Sequence, residues 1–146
     1  MAERRQFCTF YLDGMRFGVD VRAVQEVVAY QAMTRVPLAP STVRGLINLR
    51  GQIVTGIDVR RRLDLPERAA DATAMNVVLR GGESPVSFLV DAIGEVIDVD
   101  DGWESPPATL RGPTRELIQG VCALGSELLL VLDVPKVLEL QQPHAR

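Results

Sequence analysis

Gly45-Leu46-Ile47-Asn48-Leu49-Arg50-Gly51-Gln52-Ile53-Val54-Thr55-Gly56-Ile57-Asp58-Val59 returns later in the chain, without a gap, as Gly120-Val121-Cys122-Ala123-Leu124-Gly125-Ser126-Glu127-Leu128-Leu129-Leu130-Val131-Leu132-Asp133-Val134. The match runs on to Leu63 with Leu138 and to Leu65 with Leu140. Each copy is two short apolar runs on either side of a glycine-bearing turn, the pattern of a β-hairpin. Earlier in each half, Phe17-Gly18-Val19-Asp20 with Glu26-Val27 matches Phe88-Leu89-Val90-Asp91 with Glu95-Val96 after a short deletion. The chain therefore reads as a duplicated all-β unit.

Working outward, strands are predicted over Gln6–Leu12, Met15–Val19, Val43–Leu49, Gln52–Asp58, Asn76–Arg80, Val86–Ile93, Val96–Val99, Leu117–Leu124 and Glu127–Leu132. Asp13-Gly14 marks a tight hairpin between the first two, and Gly81-Gly82 marks another. Val21, Val24, Val27 and Val28 recur at three- and four-residue spacings, which predicts a short amphipathic helix over Val21–Val28. Short helices are also predicted at Val59–Leu63 and Val134–Leu140. Arg35-Val36-Pro37-Leu38-Ala39-Pro40 is extended, because each proline disfavours helix in the residue before it. Gly102 to Pro113 is a long surface loop and Gln141–Arg146 a frayed tail.

About five short strands per repeat suit a small curled sheet or barrel. The expected organisation is a single unit, residues 1–146, with lobes at about 6–70 and 71–140. The first strand or last helix is free to cross between them. Small lobes bury little alone, so they are expected to share an interface, with a groove between them as the default binding site.

Composition narrows the function classes. The chain has 146 residues, 47% apolar and 24% charged, with a net charge of −3. That length buries roughly 68–70% of the unfolded surface without disulfide or metal. No run approaches the ~20 apolar residues of a membrane span, and Met1-Ala2-Glu3-Arg4-Arg5 opens no secretory signal, so a cytoplasmic location without membrane insertion is expected. Lys136 is the only lysine among 16 basic residues, and the chain holds one tryptophan, two tyrosines and four phenylalanines. A weakly acidic, aromatic-poor chain is badly suited to nucleic acid, which leaves a small-barrel nucleic-acid binder as a remote alternative. Cys8 and Cys122 lie in apolar runs as small buried hydrophobes. His144, the sole histidine, sits in the tail, so histidine-based acid–base catalysis and metal binding have no carrier. The chain is read as a non-enzyme with no cofactor and no metal.

The duplication also separates scaffold from site. Glycine, leucine and the strand-end aspartate occur in both copies and belong to the fold. Asn48 and Arg50 do not, since Ala123 and Gly125 stand in their places. Arg50 would present a five-donor fork at a turn, or be a solvated hairpin arginine; the residues alone leave both readings open. Glu26, the only acid of the predicted helix, is a candidate to orient Arg50, although Glu95 in the other half shows that an acid there is equally consistent with a solvated residue.

These same residues carry a family resemblance. Gly45 to Val54, ending in Ile57-Asp58-Val59-Arg60, closely resembles the signature of CheW-like domains. The same pattern is visible in Phe17-Gly18-Val19-Asp20-Val21 with Val24-Gln25-Glu26-Val27, in Thr34-Arg35-Val36-Pro37, in Val90-Asp91 with Glu95-Val96, and in Gly120-Val121-Cys122-Ala123-Leu124-Gly125. It spans roughly residues 6–140. The resemblance implies two five-stranded SH3-like barrels and an adaptor that couples chemoreceptors to the histidine kinase CheA. It implies that a receptor's cytoplasmic tip and the CheW-like regulatory domain of CheA are the partners, in the cytoplasm at membrane-associated receptor arrays. It places Glu26, Arg50, Val24, Gly45, Asn48 and Gly51 at the receptor-binding region, with Glu26 and Arg50 as an ordering pair. A CheW-like adaptor of a pilus or gliding-motility pathway is the alternative. With no kinase or receiver segment, a stand-alone adaptor is expected. The chain departs from the family where proline usually follows the Ile-Val pair of this strand and Thr55-Gly56 stands instead, which implies a loosened strand or a bulge.

Overall fold

The computed structural model describes residues 5–67, 74–80, 84–99, 104–108, 110 and 112–139. Alternation builds the strands. Along Val43–Leu49, Gly45, Ile47 and Leu49 are buried while Arg44 and Asn48 are exposed. Such a strand lays one face on a core and offers the other to water.

Among the described residues, ten strands form two five-stranded sheets. One contains β1 (Arg5–Leu12), β2 (Met15–Asp20), β8 (Ala92–Val99), β9 (Ile118–Leu124) and β10 (Glu127–Leu132), in the order β8-β1-β2-β10-β9. The other contains β3 (Val24–Val28), β4 (Val43–Leu49), β5 (Gln52–Asp58), β6 (Met75–Leu79) and β7 (Val86–Val90), in the order β3-β6-β7-β5-β4. The fold is thus the all-β, two-sheet architecture expected. Each sheet takes two strands from one repeat and three from the other, and the repeats join along parallel pairs, β2 with β10 and β5 with β7.

Closure of the two sheets is equivalent. After the edge strand β3 the chain returns to the opposite edge, where Thr34 and Leu46 exchange two backbone hydrogen bonds of 2.9 and 2.8 Å. After β8, Glu104 and Val121 exchange two of 2.9 Å. Closing a sheet on itself removes its exposed edges.

The ladders correct one detail of the repeat. Thr55 lies beside Val86, and its equivalent Leu130 beside Phe17, so Phe17 corresponds to Val86 and not to Phe88. On this register the spacing from Phe17 to Glu26 equals that from Val86 to Glu95, and the deletion disappears. Val24 facing Leu79 and Val27 facing Val77 then repeat Ile93 facing Phe10 and Val96 facing Cys8.

Three other expectations change. Val21–Val28 is not a helix: a 3₁₀ turn, Val21–Ala23, leads into β3, which pairs with β6. Its valines are β-branched and half-bury on a pleated edge, so ladder hydrogen bonds outweigh the helical spacing. The strand expected over Val86–Ile93 ends at Val90, where the chain leaves one sheet for the other. Asp91 marks that crossing, held by Arg60 through two hydrogen bonds of 3.0 and 2.6 Å. The loop expected over Gly102 to Pro113 gives way to a helix at its end, α2 (Gly112–Leu117). The expected Gly81-Gly82 turn and the tail lie outside the described residues.

The sheets share one core. Phe10, Leu12, Phe17 and Val19 of the first meet Ile57, Leu79, Phe88 and Val90 of the second. Each such side chain contributes about 1.5–3 kcal/mol on full burial. Leu63 beyond α1 (Val59–Arg62) and Val137 in α3 (Val134–Leu138) join them. Each barrel also has its own interior, Phe7, Cys122, Leu129 and Val131 in one and Ile47, Leu49, Val54 and Val78 in the other. Cys8 and Cys122 are free and buried, and desolvation raises both thiols, which suppresses the reactive thiolate. The strand-end aspartates shared by the repeats both serve as helix caps. Asp58 and Asp133 each accept a backbone hydrogen bond of 3.2 Å, from Arg61 and Lys136, and so cap α1 and α3.

Candidate functional site

The site is set by the hairpin that joins β4 to β5. Leu49 pairs with Gln52, which leaves Arg50 and Gly51 as a two-residue loop with φ of 52° and 88°. Two positive φ values define a type I′ turn, whose twist matches that of the strands. Glycine or asparagine suits its first position; an arginine there costs about 1 kcal/mol. Asn48 secures the turn, its Oδ1 accepting from the Gly51 N–H at 2.9 Å.

Arg50 donates from Nη2 to Oε2 of Glu26 on β3. β3 and β4 are opposite edges of their sheet, so this ion pair spans the seam at which the barrel closes. The Arg50 side chain is 69% exposed and that of Glu26 25%, so the carboxylate is seated and the guanidinium faces solvent. A pair this exposed stabilises by about 0–1 kcal/mol at most. Its physical effect is directional: it aims the remaining donors of Arg50 along the seam.

The duplication shows what the fold requires. Glu95 occupies the place of Glu26 in the other barrel, while the hairpin tip there carries Gly125, at φ 63°, and Ser126. The acid is common to both barrels; the arginine belongs to one.

The remaining sequence-derived positions separate. Asn48 and Gly51 form the turn that presents Arg50. Val24 turns into the shared core. Gly45 lies farther down β4, where a Cβ would fall 2.7 Å from the Thr34 carbonyl oxygen and 2.9 Å from Met33 Cβ. It is the contact surface for the segment that closes the barrel. Gly56 faces Gly45 across the ladder, and a Cβ there would meet Met33 Sδ and Cε, both at 2.9 Å. The β4–β5 register shifts next to this pair, between Val43 and Gly45. The bulge is shared by the other barrel, between Val131 and Leu132 of β10 opposite β9. The bulge is therefore not owed to Thr55-Gly56, and what Gly56 adds is room for Met33. Sequence reasoning missed Met33 and Thr34. The one signal was Gly56 itself, glycine where the other repeat has Val131, and a strand glycine signals a close approach without naming the neighbour.

Two exposed apolar residues stand nearby in the strands: Val27, which follows Glu26 in β3, at 38% exposure, and Ile53, opposite Asn48, at 53%. Among the described residues, no group of three or more His, Cys, Asp or Glu is placed to hold a metal ion, and no helix is long and apolar enough to cross a membrane.

A pair of small barrels bound by exchanged strands, one of them presenting an ion-paired arginine at a hairpin tip, defines a duplicated barrel module. More particularly, the chain belongs to the CheW-like domain family, whose model matches residues 6–142. It is 33% identical over 140 residues to the chemotaxis protein CheW of Treponema pallidum, covering 92% of this chain and 82% of that protein. To the chemotaxis protein CheW of Klebsiella aerogenes it is 30% identical over 139 residues, covering 94% and 84%. The crystal structure of the scaffolding protein TtCheW from Thermoanaerobacter tengcongensis superposes with a TM-score of 0.80 at 26% identity, covering 90% of each chain. The SH3-like barrel reading of the two sheets agrees with that likeness.

Proposed function

We propose that this protein is a chemotaxis coupling adaptor that makes and breaks no covalent bond. It holds the cytoplasmic tip of a chemoreceptor and the CheW-like regulatory domain of the kinase CheA together, in the cytoplasm at the receptor array. The observation that carries the reading is Arg50: a left-handed, solvent-facing arginine steered by Glu26, at a hairpin tip whose twin is built with glycine. Strain retained at a place where the fold accepts glycine points to use by a partner. The receptor-binding region comprises Glu26, Arg50, Val24, Gly45, Asn48 and Gly51, of which Arg50 and the turn around it supply the contact and Val24 and Gly45 the shape. The relatives' names, chemotaxis protein and scaffolding protein, support the reading. Signalling then works by simultaneous binding, with a receptor's conformational bias reaching the kinase as a shift in population. Co-precipitation with Arg50→Glu tests it: receptor fragments are lost and the CheA regulatory domain is kept, whereas retention of both at parental strength refutes the site.

A further inference from the structure

The loop that follows the closing segment contains a second anomaly, far from Arg50. Ala39 N–H donates to the Val36 carbonyl at 3.3 Å, closing a turn with Pro37 and Leu38 at its centre, and Leu38 has φ 69°. That is a type II turn, in which proline suits the first central position and glycine or asparagine the second. Leucine stands there instead, and its side chain is fully exposed, at 103% of the reference area. Backbone strain and exposed apolar surface are both unfavourable in the isolated chain, and a smaller polar residue would remove both. Single exposed leucines are ordinary, whereas one in a strained conformation at a turn tip is not.

Beside this turn lies a cavity of about 660 Å³. Of the described residues that line it, Arg35, Arg44 and Arg61 are basic and none is acidic; Val36, Pro37 and Pro40 supply apolar wall. Arg44 reaches Asp58 at 3.0 Å and Arg61 reaches Glu67 at 2.5 Å, so two of the three guanidinium groups are fixed in direction while keeping donors unspent. With Asp58 and Glu67 counted against the three arginines, the cavity still keeps a surplus of one positive charge, in a chain of net charge −3. Arg44 is the second residue of β4 and Arg50 follows its end, so the cavity and the ion pair lie at opposite ends of one barrel, roughly 20 Å apart at the strand rise per residue.

We propose that the turn Val36–Ala39 and this cavity form a second docking site, for an acidic segment of a protein partner that also receives the Leu38 side chain. Carboxylates of that segment meet Arg35, Arg44 and Arg61, and an apolar pocket between them takes the leucine. Charge complementarity selects the acidic partner over a basic one, and the apolar tip selects a peptide over a simple anion. The separation from Arg50 allows both ends of the barrel to be occupied together, whichever partner sits at Arg50.

Two-dimensional NMR of the full chain tests this with three probes: a peptide alternating glutamate and leucine, polyglutamate, and a peptide alternating lysine and leucine. The glutamate–leucine peptide is expected to shift resonances of the 35–41 segment, Arg44 and Arg61, and to bind about tenfold more tightly than polyglutamate; the lysine peptide leaves them unmoved. Leu38→Asn, which suits the same turn, is expected to raise the melting temperature by about 2–4 °C while abolishing the advantage of the leucine-bearing peptide. Arg50→Glu changes none of these shifts, so failure of the receptor site and failure of this one are separate results. Equal affinity for polyglutamate means an anion site only, and overturns the proposal. So does a glutamate–leucine peptide that leaves the loop unmoved, or binds Leu38→Asn as well as the parent.

Discussion

Met33 packs its thioether where a side chain on Gly56 would lie, with Sδ and Cε both 2.9 Å from the position of a Cβ. In the other barrel the equivalent position is Val131, buried in that barrel's interior. One barrel is filled from the strand itself and the other by a methionine from the closing segment, the adaptable filler of irregular space. Met33 thereby ties the segment between β3 and β4 to the barrel, next to the seam that Glu26 and Arg50 span.

This packing predicts a non-additive pair. Gly56→Val should destabilise by about 1–3 kcal/mol through overpacking. Combined with Met33→Ala, the loss should fall short of the sum of the single losses by about 1 kcal/mol or more, because the valine then occupies vacated space. Gly45→Ala is the internal control: its nearest obstacle is the Thr34 carbonyl, so Met33→Ala should not relieve it. Urea denaturation of the single and double variants decides, and strict additivity at position 56 would contradict the packing.

The exchanged strands predict how the chain can be divided. Residues 1–70 lack β8 and β10, the strands that β1 and β2 pair with, and residues 71–146 lack β3 and β5, the partners of β6 and β7. Neither fragment should fold alone, and the two should recover a dispersed NMR spectrum when co-expressed. A fragment 71–146 that folds cooperatively by itself would show that the sheets are independent.

Acid titration should expose Asp20, the last residue of β2, after which the chain passes to the other sheet. Hydrogen bonds from the Arg22 side chain, then its backbone N–H and charge, hold the Asp20 carboxyl down at about 2 from an ordinary 3.8. A carboxylate whose folded value is depressed stabilises the fold above its unfolded value, and that contribution fades as pH falls toward the folded one. The stability gap between the parent and Asp20→Asn should therefore be full above about pH 5 and shrink between about pH 4 and 2. A gap that stays constant across that window would remove Asp20 from the account.

Local chemistry made much of this fold legible. β4, β5 and β10 fall residue for residue where alternation and turn glycines placed them, and Asp13-Gly14 makes its hairpin. Competition between local and non-local bonding was not legible: the valines of 21–28 fit a helix until β6 supplies a ladder. Which repeat lends strands to which sheet depends on long-range pairing, and Phe17 matching Phe88 by sequence hid the register that sets it beside Leu130. At the site, comparing the repeats singled out Arg50, Glu26 was named as the only acid of the expected helix and by the family resemblance, and the two meet. The left-handed backbone of Arg50, Met33 over the two glycines and the strained Leu38 depend on geometry that residue types do not encode.

Arg50→Gly tests the central claim most directly, because it gives this hairpin the residue its twin already has. Removing an arginine from the left-handed region should leave the protein as stable as the parent or about 0.5–1 kcal/mol more so. Receptor-fragment affinity, measured by co-sedimentation together with the CheA regulatory domain, should fall about tenfold or more while binding of the kinase domain is unchanged. Parental receptor affinity in a fully folded Arg50→Gly protein would contradict the assignment of Arg50 as the receptor contact.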